Sequence, residues 1–341
     1  MADIAYTESS APDAILVSAV ITTYNRHSEA MRAIESVLNQ TYSPLEVLVI
    51  EDGSDSGVRR WISEHGLMGR IQYHRLETNQ GLAAARNAGW RLAKGRYVAY
   101  LDDDDLWKPQ RIEQQMRLVR GLSADAQTRL GVVTCATEMH FPRTGRVSVR
   151  LPGNKGNLRE SIVRFGASTP SSSFLFLREA LASTGGFDES LASSIDHDIW
   201  MTLAAAGYET DYVAEPLVIH FDRFARSTSM GATKRRILGV TQYVEKWQPT
   251  FVSWFGSKEG ERYAEMYFID VIGLLAAYKL VAGEFRDAWV SVRAMSDRVK
   301  NHSYIARALI RELGRLLIQQ FAPKTLLDSA KRLRNRLGNQ T

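Results

Sequence analysis

Short runs rich in β-branched residues alternate with segments of helical spacing over the first 140 residues of this chain. The runs occupy residues 15–22, 45–50, 71–75 and 97–101. Apolar residues recur at three- and four-residue spacing in the segments between them, which are 29–39, 58–65 and 82–93. Such alternation is typical of βαβ units, whose strands form a mostly parallel sheet covered by helices. We therefore expect an α/β fold of the layered, nucleotide-binding type.

The pattern changes twice further along the chain. After residue 130 the strands become short and irregular, and after residue 230 the chain has the spacing of consecutive helices. The sequence thus predicts one α/β domain over 15–230, followed by a helical extension. The predicted parts are a disordered N-terminus at 1–14, two halves of the domain at 15–130 and 131–230, and the extension at 231–341.

The charge of the chain is distributed unevenly. Residues 231–341 contain 19 Lys and Arg against 10 Asp and Glu, a net +9, whereas residues 1–230 contain 24 against 28, a net −4. The helical extension is therefore basic. A hydrophobic content of 45% and a charged content of 24% are ordinary for globular proteins and exclude an intrinsically disordered chain.

The sequence contains no pattern for secretion or for crossing a membrane. Residues 1–13 lack the basic start and apolar core of a secretory signal. The longest apolar stretch, 268–281, contains Asp270 and Lys279 and is shorter than the roughly 20 residues that a span requires. The single cysteine, Cys135, has no disulfide partner in the chain and cannot build a cysteine-based zinc site, so we expect a buried thiol in a reducing compartment. These features predict a cytoplasmic protein.

Two acidic clusters follow predicted strands. Glu51 and Asp52 come directly after the second strand, and four consecutive aspartates, 102–105, come after the fourth. In an open α/β sheet, ligands bind beyond the carboxyl ends of the strands. Adjacent carboxylates repel one another unless a cation neutralises them, and Mg²⁺ and Mn²⁺ prefer carboxylate oxygens. The clusters predict a divalent-cation site at this edge.

Two other readings of the aspartates compete with a cation site. Asp103 or Asp105 would cap a helix that starts near Trp107, with Pro109 in its first turn. That role needs one aspartate, not four. A calcium loop of the EF-hand kind requires acidic or polar residues at alternating positions and then Gly, whereas Leu106 and Trp107 follow here.

Five ordered strings within about ninety residues resemble the family 2 glycosyltransferases of the GT-A fold. The strings are Val20-Ile-Thr-Thr-Tyr-Asn25, Ser36-Val-Leu-Asn-Gln-Thr-Tyr42, Val49-Ile-Glu-Asp-Gly-Ser54, Asn79-Gln-Gly-Leu-Ala-Ala-Ala-Arg-Asn-Ala-Gly89 and Tyr100-Leu-Asp-Asp-Asp-Asp-Leu-Trp-Lys-Pro109. The resemblance covers about residues 15–230. It implies a nucleotide-sugar-binding half at 15–130 and an acceptor half at 131–230.

The resemblance assigns donor contacts to individual residues. Thr22, Tyr24 and Asp52 match positions that hold the nucleoside, where a ring packs on uracil and a carboxylate accepts its ring N–H. Asp102-x-Asp104 matches the Asp-x-Asp motif, whose last carboxylate binds Mn²⁺ or Mg²⁺ and whose first meets the ribose or the metal. Two further nucleotide contacts are implied at Arg86, for which an intramolecular or surface salt bridge is an equal alternative, and at Asp103.

A second pair of strings resembles the acceptor side of the same family. They are Gly185-Gly-Phe-Asp-Glu189 and Ile195-Asp-His-Asp-Ile-Trp-Met-Thr-Leu203, in which Ile195 replaces the usual Glu. In this alignment Asp196 is the general base, which removes the proton of the acceptor hydroxyl. Asp198 is the rival base, and its alternative role is a favourable charge at a helix N-terminus.

One histidine is a candidate for the metal shell. His220 lies where relatives carry a histidine that binds the ion, and a plain structural histidine is the alternative. The string His220-Phe-Asp-Arg-Phe-Ala-Arg226 lacks the family's Tyr-Arg-x-His, and strict alignment puts Arg223 at the histidine position. Arg223 or Arg226 would then contact the diphosphate.

The extension contains amphipathic helices with basic flanks. An apolar stripe formed by Ile305, Leu309, Leu313, Leu316 and Leu317 runs beside Arg307, Arg311 and Arg315. Such a stripe packs on its own domain or on a second subunit as a homodimer. The basic end, 324–336, would alternatively contact an anionic membrane at its inner face. Processive synthases carry Gln-x-x-Arg-Trp, and the string Gln242-Tyr-Val-Glu-Lys-Trp247 is one residue too long for it, which favours addition of a single sugar.

Together these features predict an inverting, metal-dependent enzyme that moves one sugar from a nucleotide-sugar donor, with a UDP-sugar favoured, to a hydroxyl of a glycan or lipid-linked acceptor. We expect no nucleic-acid partner. The alternatives are a nucleotidyltransferase that makes the sugar nucleotide and an inactive nucleotide-sugar-binding protein. The first would open with a Gly-rich phosphate loop, whereas Thr22-Thr-Tyr-Asn25 stands there; an oxidoreductase would need Gly-x-Gly-x-x-Gly, which is absent.

Overall fold

The computed structural model describes residues 15–142, 145–165, 169–221, 233–299 and 302–321. These residues form two compact units. The first draws on residues 15–139, 148–165, 169–189 and 195–221, and the second on residues 140–142, 145–147, 190–194, 233–299 and 302–321. The segment 1–14, with its predicted disorder, and the basic end 324–336, with its predicted membrane contact, lie outside the described residues.

A mixed sheet forms the centre of the first unit. Its strands are, in chain order, β1 (Val17–Thr23), β2 (Leu45–Glu51), β3 (Ile71–Arg75), β4 (Tyr97–Asp102), β5 (Leu106–Trp107), β6 (Leu130–Phe141), β7 (Arg146–Arg150), β8 (Gly156–Asn157), β9 (Leu175–Leu177) and β10 (Glu209–Phe221). The strand order is β3-β2-β1-β4-β9-β6-β10-β5. The part β3-β2-β1-β4 is parallel, and β9 joins β4 and β6 antiparallel.

The parallel part follows from the apolar runs in the sequence. All seven residues of β1 are buried, as are the last five of β2 and the first five of β4. Strands that are covered on both faces need continuous rather than alternating hydrophobicity. The α/β class with a parallel central sheet is therefore confirmed, and the four strands lie close to their predicted positions. Cys135 is buried in β6, as expected, and burial raises the pKa of its thiol to about 11.

Eight helices of the described chain belong to the first unit. They are α1 (His27–Leu38), α2 (Val58–Glu64), α3 (Leu82–Leu92), α4 (Arg111–Arg120), α5 (Ala124–Arg129), α6 (Leu158–Phe165), α7 (Arg178–Thr184) and α8 (Ile195–Ala205).

Helix α3 lies unusually close to the sheet. Its buried residues include the small residues 83–85 and Gly89, alongside Arg86 and Asn87. A Cβ atom at Gly89 would lie 2.3 Å from Cγ1 of Val20 in β1, so only glycine permits this approach. The close packing carries Arg86, in the middle of α3, to the carboxyl end of the parallel strands.

The prediction of a helix starting near Trp107 is wrong. Residues 106–107 form strand β5, which pairs antiparallel with Val218 and Ile219 of β10, and the Lys108 N–H donates to the Leu217 carbonyl. Pairing with β10 therefore satisfies the backbone N–H and C=O groups that would otherwise be bonded within a helix. Helix α4 begins only at Arg111, and its N-cap residue, Gln110, makes no side-chain cap bond. Neither Asp103 nor Asp105 caps it.

The described part of the C-terminal region is helical, as predicted. Its helices are α9 (Thr233–Phe255), α10 (Ser257–Val281), α11 (Phe285–Arg298) and α12 (His302–Phe321). Lys279 of α10 is buried and pairs with Glu284 at 2.6 Å and with Asp287 of α11 at 3.6 Å, so its desolvated charge is compensated. In the described ranges, no helix combines the length and the apolar character needed to cross a bilayer.

Candidate active site

Three of the predicted donor-site residues share the carboxyl edge of the parallel strands. Thr22 of β1 stands in register with Asp102 of β4, and the N–H of Asp52 donates to the Thr23 carbonyl at 2.9 Å. Thr22 and Asp52 are buried, whereas Tyr24, directly after β1, has 47% of its surface exposed. An exposed ring beside two fixed polar groups is suited to stacking on a planar ligand.

Asp52 holds the loop that precedes α3. One carboxylate oxygen accepts the N–H of Gln80 at 2.7 Å, and the other accepts that of Gly81 at 2.9 Å. Gly53 has φ +70°, and a Cβ atom there would lie 2.1 Å from the backbone nitrogen of Asn79, so the two loops are in close contact. A carboxylate has about four acceptor positions, and Asp52 therefore keeps capacity for a ligand N–H.

Arg86 joins the first aspartate of the cluster to the predicted base. Its guanidinium is fully buried; Nη1 donates to Asp196 at 2.5 Å, and Nη2 donates to Asp102 at 2.9 Å. Ser171 accepts from Arg86 Nη2 and donates to the second oxygen of Asp102, both at 2.7 Å. Of the two roles left open for Arg86, the intramolecular salt bridge is the one formed here, and the side chain is not at the surface.

The Arg86 network controls the charge of Asp102. Burial alone would raise the pKa of this carboxyl, but the adjacent guanidinium and the hydroxyl of Ser171 hold it below its usual range. The same two carboxylates, Asp102 and Asp196, outweigh the burial of Arg86 and raise its pKa. The guanidinium and Asp102 are therefore both charged at neutral pH.

Arg26 lies between the two middle aspartates. Its Nη1 is 2.7 Å from Asp103 Oδ1 and 2.8 Å from Asp104 Oδ2. Burial raises the pKa of Asp103 to about 6 although Arg26 opposes the shift. Burial and the neighbouring Asp105 also raise the pKa of Asp104. The cluster therefore retains repulsion that its own side chains do not fully relieve.

Asp105 and His220 form a separate pair. Asp105 accepts the hydroxyl of Ser172 at 2.6 Å, and its Oδ1 lies 2.9 Å from Nδ1 of His220 at the end of β10. Asp105 thus orients His220 instead of capping a helix. The predicted alternatives at Arg223 and Arg226 lie outside the described residues.

The two candidate bases occupy the first turn of α8. The helix starts at Ile195, directly after Ser194, whose φ is +67°. The side chain of Asp196 is 40% exposed, whereas Asp198 is buried. A base must reach a solvent-borne hydroxyl, so the exposure of these carboxylates favours Asp196.

Asp104 is the best-placed ligand for a divalent cation. Its side chain is 25% exposed, and a bound cation would offset the burial and the repulsion by Asp105 that raise its pKa. Within the described ranges, no group of three or more His, Cys, Asp and Glu side chains forms a cation cage. Mg²⁺ typically uses one or two carboxylates and completes its shell with water and substrate phosphates. The donor set fits a cation that binds together with a phosphate ligand.

Sequence reasoning missed several residues that shape this edge. Arg26, Ser171 and Ser172 each contact one or two of the four aspartates. Tyr73 was also missed: its hydroxyl donates at 2.5 Å to Glu51, the fully buried member of the acidic pair that the sequence predicted with Asp52. Arg26 directly follows Tyr24-Asn25, and this position could have identified it from the sequence. Ser171 and Ser172 lie in no comparable pattern.

Comparisons with known proteins show what the chain is similar to. Residues 18–178 match the family model described as Glycosyl transferase family 2. An Escherichia coli protein named UDP-Glc:alpha-D-GlcNAc-diphosphoundecaprenol beta-1,3-glucosyltransferase WfgD is 36% identical over 107 residues, which are 31% of this chain and 42% of that protein.

Two solved structures share the fold. One is the mannosyltransferase PcManGT from Pyrobaculum calidifontis in complex with GDP-Man and Mn²⁺, with a TM-score of 0.51, 19% identity, and coverage of 89% of this chain and 80% of that chain. The other is S. aureus TarS 1–349 in complex with UDP-GlcNAc, with a TM-score of 0.53, 16% identity, and coverage of 83% and 91%.

The fold of the chain is the GT-A fold of these two glycosyltransferase structures. Within the chain, residues 18–178 match glycosyl transferase family 2. The aligned segment spans only 15 to 17% of the length of the Rickettsia glycosyltransferases that it matches.

Proposed function

We propose that this protein is an inverting, metal-dependent glycosyltransferase. It moves one sugar from a nucleotide-sugar donor, with a UDP-sugar favoured, to a hydroxyl of a glycan or lipid-linked acceptor. The observation that carries the proposal is the Arg86 bridge, which joins Asp102 at the end of β4 to Asp196 at the start of α8. One buried cation thus holds a donor-side and an acceptor-side carboxylate together.

The donor site is proposed at the ends of β1, β2 and β4. Tyr24 offers an exposed ring for the base, and Asp52 offers an acceptor for a ring N–H, which uracil carries. Thr22, Arg86, Asp102 and Asp103 surround the proposed ribose and diphosphate. The names of the glucosyltransferase and of the TarS complex, which specify UDP-Glc and UDP-GlcNAc, support a uridine nucleotide.

The cation is proposed to bind through Asp104, with Asp102 and His220 as further candidate ligands. When bound, Mn²⁺ or Mg²⁺ supplies Lewis-acid stabilisation of the departing nucleoside diphosphate. The Mn²⁺ named in the PcManGT structure supports use of a divalent ion.

Asp196 acts as the general base. The acceptor oxygen forms a bond to the anomeric carbon while the bond from that carbon to the diphosphate oxygen breaks. The hydroxyl proton passes to Asp196, and the nucleoside diphosphate leaves with the bonding electrons. Attack from the face opposite the leaving group inverts the anomeric centre. Arg86 keeps the base beside the donor site through its 2.5 Å bond to Asp196.

A donor panel tests the proposal. The protein is incubated with UDP-, GDP- and dTDP-sugars and an acceptor mixture of glycans and polyprenyl-linked sugars, with Mn²⁺ and then with EDTA. We expect release of UDP from one UDP-sugar, abolished by EDTA and in Asp104→Ala. Pyrophosphate formation from a nucleoside triphosphate and a sugar phosphate would instead establish a nucleotidyltransferase. Donor binding without release from any donor would establish an inactive binding protein.

A further inference from the structure

Arg26 occupies the position of a counter-cation in the four-aspartate cluster. A single nitrogen, Nη1, bridges Asp103 at 2.7 Å and Asp104 at 2.8 Å. The outer two aspartates have other partners, Arg86 for Asp102 and His220 with Ser172 for Asp105. Arg26 is therefore the cation paired with both middle aspartates, and its single positive charge offsets only part of theirs.

A divalent ion at Asp104 and the present position of Arg26 are electrostatically incompatible. Carboxylate ligands lie about 2.0–2.1 Å from Mg²⁺, and one oxygen of Asp104 is already 2.8 Å from the guanidinium. Two cations at such distances repel strongly in a partly buried site. Binding of one at Asp104 therefore weakens binding of the other.

We infer that Arg26 competes with the divalent ion for Asp104, an inference that rests on the proposed function. The ion then binds tightly only together with the donor diphosphate, because the phosphate charges offer Arg26 a replacement partner. Arg26 is thus a positioning residue that couples metal binding to donor binding. It also weakens binding of the ion when no donor is present.

The local backbone permits this exchange without unfolding. The Arg26 carbonyl accepts the N–H of Ala30, which fixes the start of α1, and the N–H of Asn25 is held by Ser54. The side chain of Arg26 is 28% exposed, so its head can move while its backbone stays fixed. An arginine can pair with phosphate through two parallel hydrogen bonds, which compensates for the carboxylates it leaves.

Mn²⁺ binding measures the competition directly, without enzyme activity. Free Mn²⁺ is titrated by electron paramagnetic resonance against wild-type protein, Arg26→Ala and Arg26→Gln, each with and without UDP. Arg60→Ala is the matched control, because Arg60 is exposed in the same unit and pairs only loosely, at 3.8 Å, with Glu64. We expect both Arg26 variants to bind Mn²⁺ alone at least about tenfold more tightly than the wild type. The gain in Mn²⁺ affinity on adding UDP should shrink by a similar factor, while Arg60→Ala matches the wild type.

Two results overturn the inference and are distinguishable. If all proteins bind Mn²⁺ with UDP but show equal affinities without it, Arg26 does not compete, and the proposed function stands. If none binds Mn²⁺ even with UDP, the metal dependence of the proposed function fails as well. Arg26→Gln removes the charge but keeps part of the aliphatic stem and an N–H donor, so it remains the test variant if Arg26→Ala does not fold.

Discussion

Asp196 and Asp198 lie two residues apart in the same helical turn, yet their surroundings differ. Asp196 is 40% exposed and bonded to a buried arginine, whereas Asp198 is buried. A carboxylate that takes a proton from an incoming hydroxyl must be exposed to solvent. A carboxylate that stabilises the start of a helix need not be exposed. The two residues can therefore be separated by experiment.

Asp196→Asn should lower the rate of transfer about 10²- to 10⁴-fold, because the amide cannot accept the acceptor proton. UDP affinity should change little, since Asp102 still pairs with Arg86. Steady-state kinetics and calorimetric titration of UDP measure the two effects. Asp198→Asn is the control and should affect stability more than turnover. Full activity of Asp196→Asn would move the base role to another residue.

Glu51 and Tyr73 provide a pH-dependent contribution to stability. Burial would raise the pKa of Glu51, but the Tyr73 hydroxyl and the groups of Ser54 and Ser56 lower it below the usual value. Because the folded-state pKa is below that of the unfolded chain, ionised Glu51 stabilises the fold above the ordinary carboxyl pKa. That contribution is lost as the pH falls through the folded-state value.

Tyr73→Phe should therefore lower the free energy of unfolding by about 1.5 kcal/mol at pH 7, as expected for a hydrogen bond to a charged group. The difference from the wild type should shrink as the pH falls below the ordinary carboxyl pKa and Glu51 takes up a proton in both proteins. Urea denaturation at a series of pH values measures it. A constant difference at all pH values would contradict this assignment.

The predictability of the site differed from residue to residue. Asp52 and Asp102 were found because a carboxylate at the end of a buried strand is a positional signal. Ser171 and Arg26 meet the aspartates from 69 and 77 residues away in sequence. A hydroxyl or guanidinium that becomes important only through such a contact has no local pattern.

At the scale of elements, predictions succeeded where apolar periodicity alone determines structure. Strands β1 to β4 and helices α1 to α3 formed at the expected segments because each buries a face specified by its own residues. Strand β5 was misassigned because its pairing partner, β10, lies more than a hundred residues away, and Pro109 gave a misleading helix-start signal.

The contact between α3 and β1 yields a prediction about Gly89. Gly89→Ala would gain helix propensity, yet its methyl group would lie 2.3 Å from Val20. Overpacking should exceed that gain and lower stability by about 1 to 2 kcal/mol. Gly314→Ala in α12 is the control: a methyl group there meets no atom within 4 Å, so stability should rise by up to about 1 kcal/mol. Thermal unfolding measures both, and unchanged stability of Gly89→Ala would contradict close packing.

On the scale of the whole molecule, the uneven charge distribution is the main feature that the motifs do not explain. Residues 231–341 carry a net +9, and residues 1–230 carry −4. A lipid-linked acceptor would place the enzyme at a membrane surface, where anionic lipids attract basic segments. We therefore propose that the basic extension brings the enzyme to its acceptor. The alternative is that the C-terminal helices form a homodimer.

Vesicle binding tests this proposal. The protein should co-sediment with vesicles containing anionic lipid at low salt and be released by 0.5 M NaCl, since the Debye length falls well below about 10 Å. Replacing the four basic residues at the C-terminus should abolish binding, at about 1 kcal/mol each; they are Lys331, Arg332, Arg334 and Arg336. The matched control neutralises four exposed arginines of the first unit, namely Arg59, Arg60, Arg70 and Arg117. If the protein does not bind the vesicles at low salt, or if the control loses as much binding, the proposed membrane contact is contradicted.

The buried guanidinium of Arg86 also limits how such enzymes can be recombined. Segment 15–130 supplies Arg86 and Asp102, while segment 131–230 supplies Ser171 and Asp196. A chimera that joins these segments from two different parents keeps the bridge only if both parents encode matching partners. Otherwise it inherits a buried charge without its counter-ion, a defect that costs about 3–5 kcal/mol. Grafting a new acceptor specificity onto this protein therefore requires transferring the bridge residues as a set.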